Sequence, residues 1–318
     1  PSLCANELHH SNDADTQTAT ASFSNNLLVL EIQIDILRIE NEKLKEQVEK
    51  LMQTFSFSQI SDNPERVQYY TGLLDAATVL FLEALLSRFN LKYHSDWTAQ
   101  MMPLVDQLFL TLMKLKLNCG HVDLATRFNC STATVTNIFT TIVSLLYDIF
   151  YVGMLENNIP SRAKNRTSLP DCFQPFPNCR IVHLYSQYKG RTTLKALIGV
   201  APNGVITFVS NLYGGGASDK AITADYGVLQ HLLSGDMVIA DKGFTIWDVL
   251  PEGVSLNIPP FLTNGQKISC ARIHVERSIQ RLKLFSILHH IPHQFRKNIN
   301  KILKACVCLT NLQTPIPP

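Results

Sequence analysis

Paired cysteines are missing from this chain. Its eight cysteines (Cys4, Cys119, Cys130, Cys172, Cys179, Cys270, Cys306 and Cys308) are scattered, and none forms a Cys-x2-Cys pair. That spacing excludes a zinc module and leaves reduced, intracellular thiols as the expectation. Excess charge is missing as well. The 28 Lys and Arg stand against 26 Asp and Glu, a net charge of +2, so attraction to a polyanion has to come from local clusters. No apolar run approaches the length of a transmembrane span, and the first residues are polar rather than signal-like, so no membrane partner is expected. Acid is absent from one stretch in particular: there is no Asp or Glu between Ile181 and Lys195.

What is present begins with 318 residues of ordinary globular composition, 46% hydrophobic and 17% charged, enough for two domains or one large one. Residues 1–25 are rich in Ser, Thr, Asn and Asp and read as disordered. From Leu27 to Leu51 the chain carries heptads, with Leu30, Leu37, Leu44 and Leu51 at d and Leu27, Ile34, Asn41 and Val48 at a. Aliphatic a positions, Leu at d and one Asn at a favour a parallel two-stranded coiled coil in register. The expectation is a coiled coil over 26–53 that makes a homodimer through the four d leucines. Ile32, Ile36 and Ile39 fall off that seam, as they would on an amphipathic helix packed against its own protein. Residues 54–68, with Pro64, read as a polar linker.

Residues 69–158 show a helix period. Within them Asp123–Phe139 has the spacing of a helix-turn-helix: small Ala125, a turn at Asn129-Cys130, Ser131 as N-cap, and apolar Val135 and Ile138. The second helix would offer Thr132, Thr134, Thr136 and Asn137 to a major groove. That face has almost no cations, and a plain helical hairpin is the alternative.

Residues 159–314 read as α/β. Residues 159–179, with four prolines, are loop-like. A strand starts at Arg180. Leu194–Val200, the turn Ala201-Pro-Asn-Gly204 and Val205–Leu212 spell a β-hairpin. A helix capped by Ser218 or Asp219 is expected to run to about Leu233, with a short helix near Thr245–Leu250, a strand over Val254–Ile258, and helices over Cys270–Phe285 and Asn298–Leu312. Met237-Val-Ile-Ala-Asp241 reads as a buried strand that delivers Asp241 to the C-terminal edge of a sheet. Glu276 follows on a helix among cations. From Arg272 to Lys304 eight Lys and Arg, including Arg272, Arg277, Arg281 and Lys283, meet one acid. That is a local basic surface, the footprint expected of nucleic-acid binding. Two carboxylates at strand end and helix are two thirds of a cluster for Mg²⁺ or Mn²⁺.

The run Lys195–Ser210, together with Ser218-Asp-Lys220, Ala240-Asp-Lys-Gly-Phe244, Asn257-Ile-Pro-Pro-Phe261 and Arg272-Ile-His-Val-Glu-Arg277, resembles the PIF/Harbinger-like class of DDE superfamily endonucleases. The resemblance covers roughly residues 100–313, including the helix-turn-helix. It implies an RNase H-like fold in which three carboxylates, Asp-Asp-Glu, hold two divalent metal ions that activate water or a 3′ hydroxyl against a phosphodiester. It implies DNA as partner and the nucleus as location. The second Asp carries over onto Asp241 and the Glu onto Glu276. The strand end that bears the first Asp is skipped, since the chain passes from His183 straight to Tyr185-Ser-Gln-Tyr-Lys189. A helical segment before Cys270 is missing too, so the nuclease domain reads as truncated in two places. Asp171 superficially imitates the lost ligand but precedes the strand by about ten residues. Asp219 reads first as a helix cap. Lys220 and Lys242 would reach phosphate only if not solvated. The reading is a transposase-derived, metal-dependent DNA endonuclease whose catalysis is impaired; the alternative is a non-catalytic dimeric DNA- or chromatin-binding protein.

Overall fold

The structure is a computed structural model that describes residues 12–93, 102–156, 158–185, 194–240, 244, 246–258 and 276–313. It divides into two units, Pro1–Phe55 and Ser56–Pro318. The first is one helix, α1, Asn12–Gln53, of 42 residues. It begins inside the segment expected to be disordered. Once the heptad stretch has borne the cost of nucleation, each polar residue added in front brings one hydrogen bond. The d-position Leu30, Leu37 and Leu44 are 55%, 63% and 60% exposed. Val29, Ile32, Ile36 and Ile39 are exposed to a similar degree.

The second unit opens where a linker was expected. Phe57 is buried and its N–H donates to Asp106 Oδ1 at 2.7 Å. Asn63 then caps α2, Pro64–Thr71, with Pro64 in the first turn, where a missing N–H does no harm. α3 is Ala76–Leu86, with Asp75 as N-cap. α4, Leu104–Leu117, is the buried centre of this region; Leu108, Phe109, Leu112 and Met113 are fully enclosed. α5, His121–Arg127, and α6, Thr132–Leu146, follow. α6 continues without a break into a π-helical stretch, Tyr147–Leu155. By length and composition Thr132–Leu155 is apolar enough to span a membrane, contrary to the sequence reading. Here its apolar side, from Val135 to Phe150, is buried in the protein.

A short helix, α7, Arg162–Arg166, interrupts the proline-rich stretch expected to be loop. The strands are β1 Cys179–Tyr185, β2 Leu194–Lys195, β3 Ile198–Val200, β4 Ile206–Val209, β5 Tyr213–Gly214, β6 Met237–Ile239 and β7 Ser255–Asn257. The main sheet has the order β4-β3-β1-β6-β7, and β2 and β5 form a separate pair. β1 is antiparallel to β3, with Val182 opposite Val200, and parallel to β6, with Val182 opposite Ile239. β6 and β7 are parallel and β3 and β4 antiparallel. β1, β6 and β7 therefore start at one edge of the sheet and finish at the other. β1 runs seven residues and ends His183-Leu184-Tyr185. It sits at the centre of the sheet and exposes no edge.

α8 is Asp219–Asp225 and stops well before Leu233. Gly227, at φ 78°, breaks it into a 3-10 turn at Val228–His231, a conformation a side chain resists. Described residues between 246 and 250 form turns rather than a helix. Residues 276–283 are the described part of a helix, α9, and α10 is Ile299–Asn311. Ile181, Phe208, Ile222, Val238 and Ile246 form a core on the sheet. α10 packs on β4, α6 and the π-helical stretch. That junction is tied by Tyr151, whose hydroxyl donates to Val209 O at 3.3 Å, and by Lys304, whose Nζ donates to the Tyr226 hydroxyl at 2.7 Å and lies 4.3 Å from the Tyr151 ring centre. Burial above all, with Tyr226 beside it, pushes the Tyr151 phenol far above its ordinary pKa.

Candidate active site and nucleic-acid interface

The helix-turn-helix forms as the spacing predicts. Ala125, Val135 and Ile138 are buried where α5 and α6 meet. Asn129 takes φ 47° in the turn, a conformation that Asn tolerates better than most residues. Ser131 Oγ accepts from Thr134 N–H at 3.0 Å and caps α6. The four residues expected to face a groove are not equivalent. Thr132 is exposed at the start of α6. Thr134 Oγ1 is engaged with the cap hydroxyl at 3.0 Å. Thr136 is half-buried: its Oγ1 lies 3.1 Å from His121 Nδ1 and donates to Thr132 O. Asn137 is half-buried as well. His121 Nε2 in turn lies 3.0 Å from Gln294 Nε2. The amide nitrogen is a donor, so the ring nitrogen accepts, and the proton sits on Nδ1 and points at Thr136. Burial and then Lys114 lower the pKa of His121, which favours this neutral form. The polar stripe of α6 is thus partly spent on holding α5 and the 3-10 stretch His293–Asn298 in place.

Of the two expected catalytic carboxylates, only Glu276 lies among the described residues. β6 finishes at the edge where β1 finishes, and Ala240 N–H donates to Asn257 O there. Asp241, Lys242, Arg272 and His274 lie outside the described residues. Glu276 is the first described residue of α9 and is exposed. Two residues on, Ser278 is buried and its Oγ donates to Gly204 O at 2.7 Å. Gly204 belongs to the turn from β3 to β4, level with the start of β1. Farther along α9, Ile279, Leu282 and Lys283 line an apolar cavity of about 60 Å³ with Leu194, Ile198 and Leu212. Ile198 pairs with Tyr185 at the finish of β1. Ser278 and Arg281 thus meet the starting edge beside Gly204, while Ile279, Leu282 and the half-buried Lys283 line the apolar cavity.

The weaker candidates are occupied elsewhere. Asp171 lies in a 3-10 turn before β1, and its Oδ1 accepts from Gln174 Nε2 at 2.9 Å. Asp219 sits in the first turn of α8, where Ser218 is the cap, 3.8 Å from Lys195 Nζ. A carboxylate is favoured there by the helix dipole. Lys220 is paired with Asp248. β1 itself, Cys-Arg-Ile-Val-His-Leu-Tyr, contains no carboxylate. Among the described residues no three His, Cys, Asp or Glu come together as metal ligands.

Two groups escaped the sequence reading. Asp236, fully buried at the starting edge, takes Arg180 Nη1 on Oδ2 at 2.6 Å and has Arg162 Nε 3.1 Å from Oδ1. The second contact has ion-pair distance without hydrogen-bond alignment, and Arg180 Nε is buried without a hydrogen-bond partner. α7 itself, Arg-Ala-Lys-Asn-Arg, is the other group. Its charge run was visible, but the prolines around it concealed the helix.

Comparison with known proteins bears on both halves of this unit. Residues 178–311 match the family model described as DDE superfamily endonuclease. Residues 100–151 match the helix-turn-helix of DDE superfamily endonuclease. No curated protein and no solved structure matches the chain. The segment from α4 to the π-helical stretch and the segment from β1 to α10, in that order, are thus the helix-turn-helix and the endonuclease domain of the DDE superfamily.

Proposed function

We propose that this chain is a transposase-derived DNA-binding protein of the PIF/Harbinger-like class, with a cleavage site impaired by loss of its first carboxylate. The observation that carries the second half is β1. In a domain that should hold its metals at the finishing edge of the sheet, the central strand ends His183-Leu184-Tyr185, with no acid until well past β2. The superfamily generally uses divalent metal ions, and two such ions need several anionic oxygens. Among the described residues no three His, Cys, Asp or Glu come together to supply them, and Glu276 is exposed. Asp241 and Glu276 are the two carboxylates left to hold a Mg²⁺ or Mn²⁺ ion. We read the sheet, an antiparallel half continuing into a parallel half, as RNase H-like. α1 dimerises the protein through Leu30, Leu37, Leu44 and Leu51, and the nucleus is its place of work.

The test is Mn²⁺-dependent nicking of supercoiled DNA by the full chain beside Asp241→Ala and Glu276→Ala. The expected result is nicking no greater than that of the variants, with salt-sensitive DNA binding retained. Nicking that both substitutions abolish would overturn the impairment and show that a third ligand exists. Absence of DNA binding at any salt concentration would overturn the DNA-binding half.

A further inference from the structure

We propose that α7 and the polar cleft beside it form a second contact for the DNA phosphate backbone, at the starting edge of the sheet. The inference rests on the DNA-binding reading above and identifies a surface that reading does not use. α7 is anchored to that edge rather than loosely attached. Asn165 is buried and its Nδ2 donates to Cys179 O and Arg180 O at 3.4 and 3.2 Å. Arg166 donates from Nε to Pro177 O at 3.2 Å and from Nη2 to Asn178 Oδ1 at 2.8 Å. Held in this way, α7 presents Lys164 and Arg166 to solvent. Around them Arg162 and Arg180 share the single buried carboxylate of Asp236. The nearest acid along the chain is Asp171, engaged by Gln174. The local balance is therefore strongly cationic in a protein whose net charge is only +2.

Immediately past α7 the surface dips into a cleft of about 390 Å³, lined by Ser168, Asn203, Ser278, Arg281, Thr310 and Gln313 among others, with no carboxylate among the described residues of its wall. Ser168 belongs to both features: its N–H bonds back to Asn165 O, and its Oγ meets Asn203 Nδ2 at 3.5 Å. Arg281, on α9, brings one of the sequence-predicted cations to the same cleft. Cations set beside hydroxyls and amides suit a phosphodiester chain. Such groups fix position on a duplex and carry no sequence information.

Counterion release gives the test. Each lost phosphate contact lowers the slope of log affinity against log salt by about 0.9. The full chain would be titrated against a random-sequence DNA duplex by fluorescence anisotropy over a KCl series, beside Lys164→Gln, the Lys164→Gln/Arg281→Gln pair, and Arg88→Gln as an exposed cation elsewhere. Expected are slopes lowered by about 0.9 and about 1.8 for the first two and unchanged for the third. Arg166 is spared because its hydrogen bonds hold β1. Should the double variant lose its cooperative melt, Lys164→Gln decides alone. Parent-like slopes in a parent that binds would overturn this surface and leave the DNA reading standing. A parent that binds no duplex at any salt concentration overturns both.

Discussion

Asp236 shows how much one side chain can hold at this edge. It is fully buried between Arg162 and Arg180, and Leu233 N–H donates to its Oδ2 at 2.8 Å. Removing one partner of a buried ion pair leaves uncompensated charge, which costs about 3–5 kcal/mol. Asp236→Ala is expected to lower stability by that order in urea denaturation; a loss below about 1 kcal/mol would mean the guanidiniums are solvated. Gly235 next to it has φ 84°, and a Cβ there would meet Arg162 Nη1 at 2.5 Å, so the cluster also dictates its neighbour. His121 makes the second prediction at this scale. Its folded pKa lies below the ordinary value, through burial and then Lys114. The unfolded chain therefore binds the proton more readily. The His121 contribution is complete above the ordinary pKa of ~6.5 and is lost as pH falls through the lowered folded value. Protonation would also set a ring N–H against the Gln294 amide donor. Urea midpoints followed from pH 7.5 to 5 should fall in the parent, and His121→Gln should flatten that fall.

Among the elements, α6 depends on its first residue. Ser131→Ala removes the acceptor for Thr134 N–H and is expected to destabilise by about 1 kcal/mol, with Ser131→Asp restoring most of it. Thermal melts of the three proteins check this. α6 is also where the sequence was most legible. Ala125, Asn129, Ser131, Val135 and Ile138 are local signals, and each does in the structure what its spacing foretold. The β3–β4 turn was legible for the same reason. Long-range pairing was not. Whether β1 ends at Val182 or Tyr185 depends on partners at 198 and 237–239, and nothing local to His183-Leu184-Tyr185 announces them. The seating of α9 was hidden likewise, since it rests on a hydrogen bond from Ser278 to a residue 74 positions earlier. Phe57 in the supposed linker is held by an N–H bond to an aspartate 49 positions on, with its ring 5.7 Å from that of Phe109. The carboxylates Asp241 and Glu276 were readable as residue types.

For the whole molecule, α1 sets the predicted copy number. A seam of exposed Leu30, Ile34, Leu37, Leu44 and Val48 has a core for a partner helix and none of its own. Each fully buried leucine contributes about 1.5–3 kcal/mol. Leu37→Glu with Leu44→Glu is therefore expected to convert a dimer into a monomer in sedimentation equilibrium. The cooperative melt of the second unit should persist, because that unit carries its own core. A parent that sediments as a monomer would remove the coiled coil from the account.

The unbroken passage of α6 into the π-helical stretch has a mechanical consequence. Thr132–Leu155 is one axle. Its front end carries Thr132, and its rear end is fixed to β4 by Tyr151 and to α10 by Lys304. No hinge lies between them, so the angle between the helix-turn-helix at the front and the sheet behind is a matter of helix phase. One residue inserted after Leu146 would rotate front against rear by about 100°, the turn per residue of an α-helix, and whatever the front end grips would be aimed at a different side of the nuclease domain.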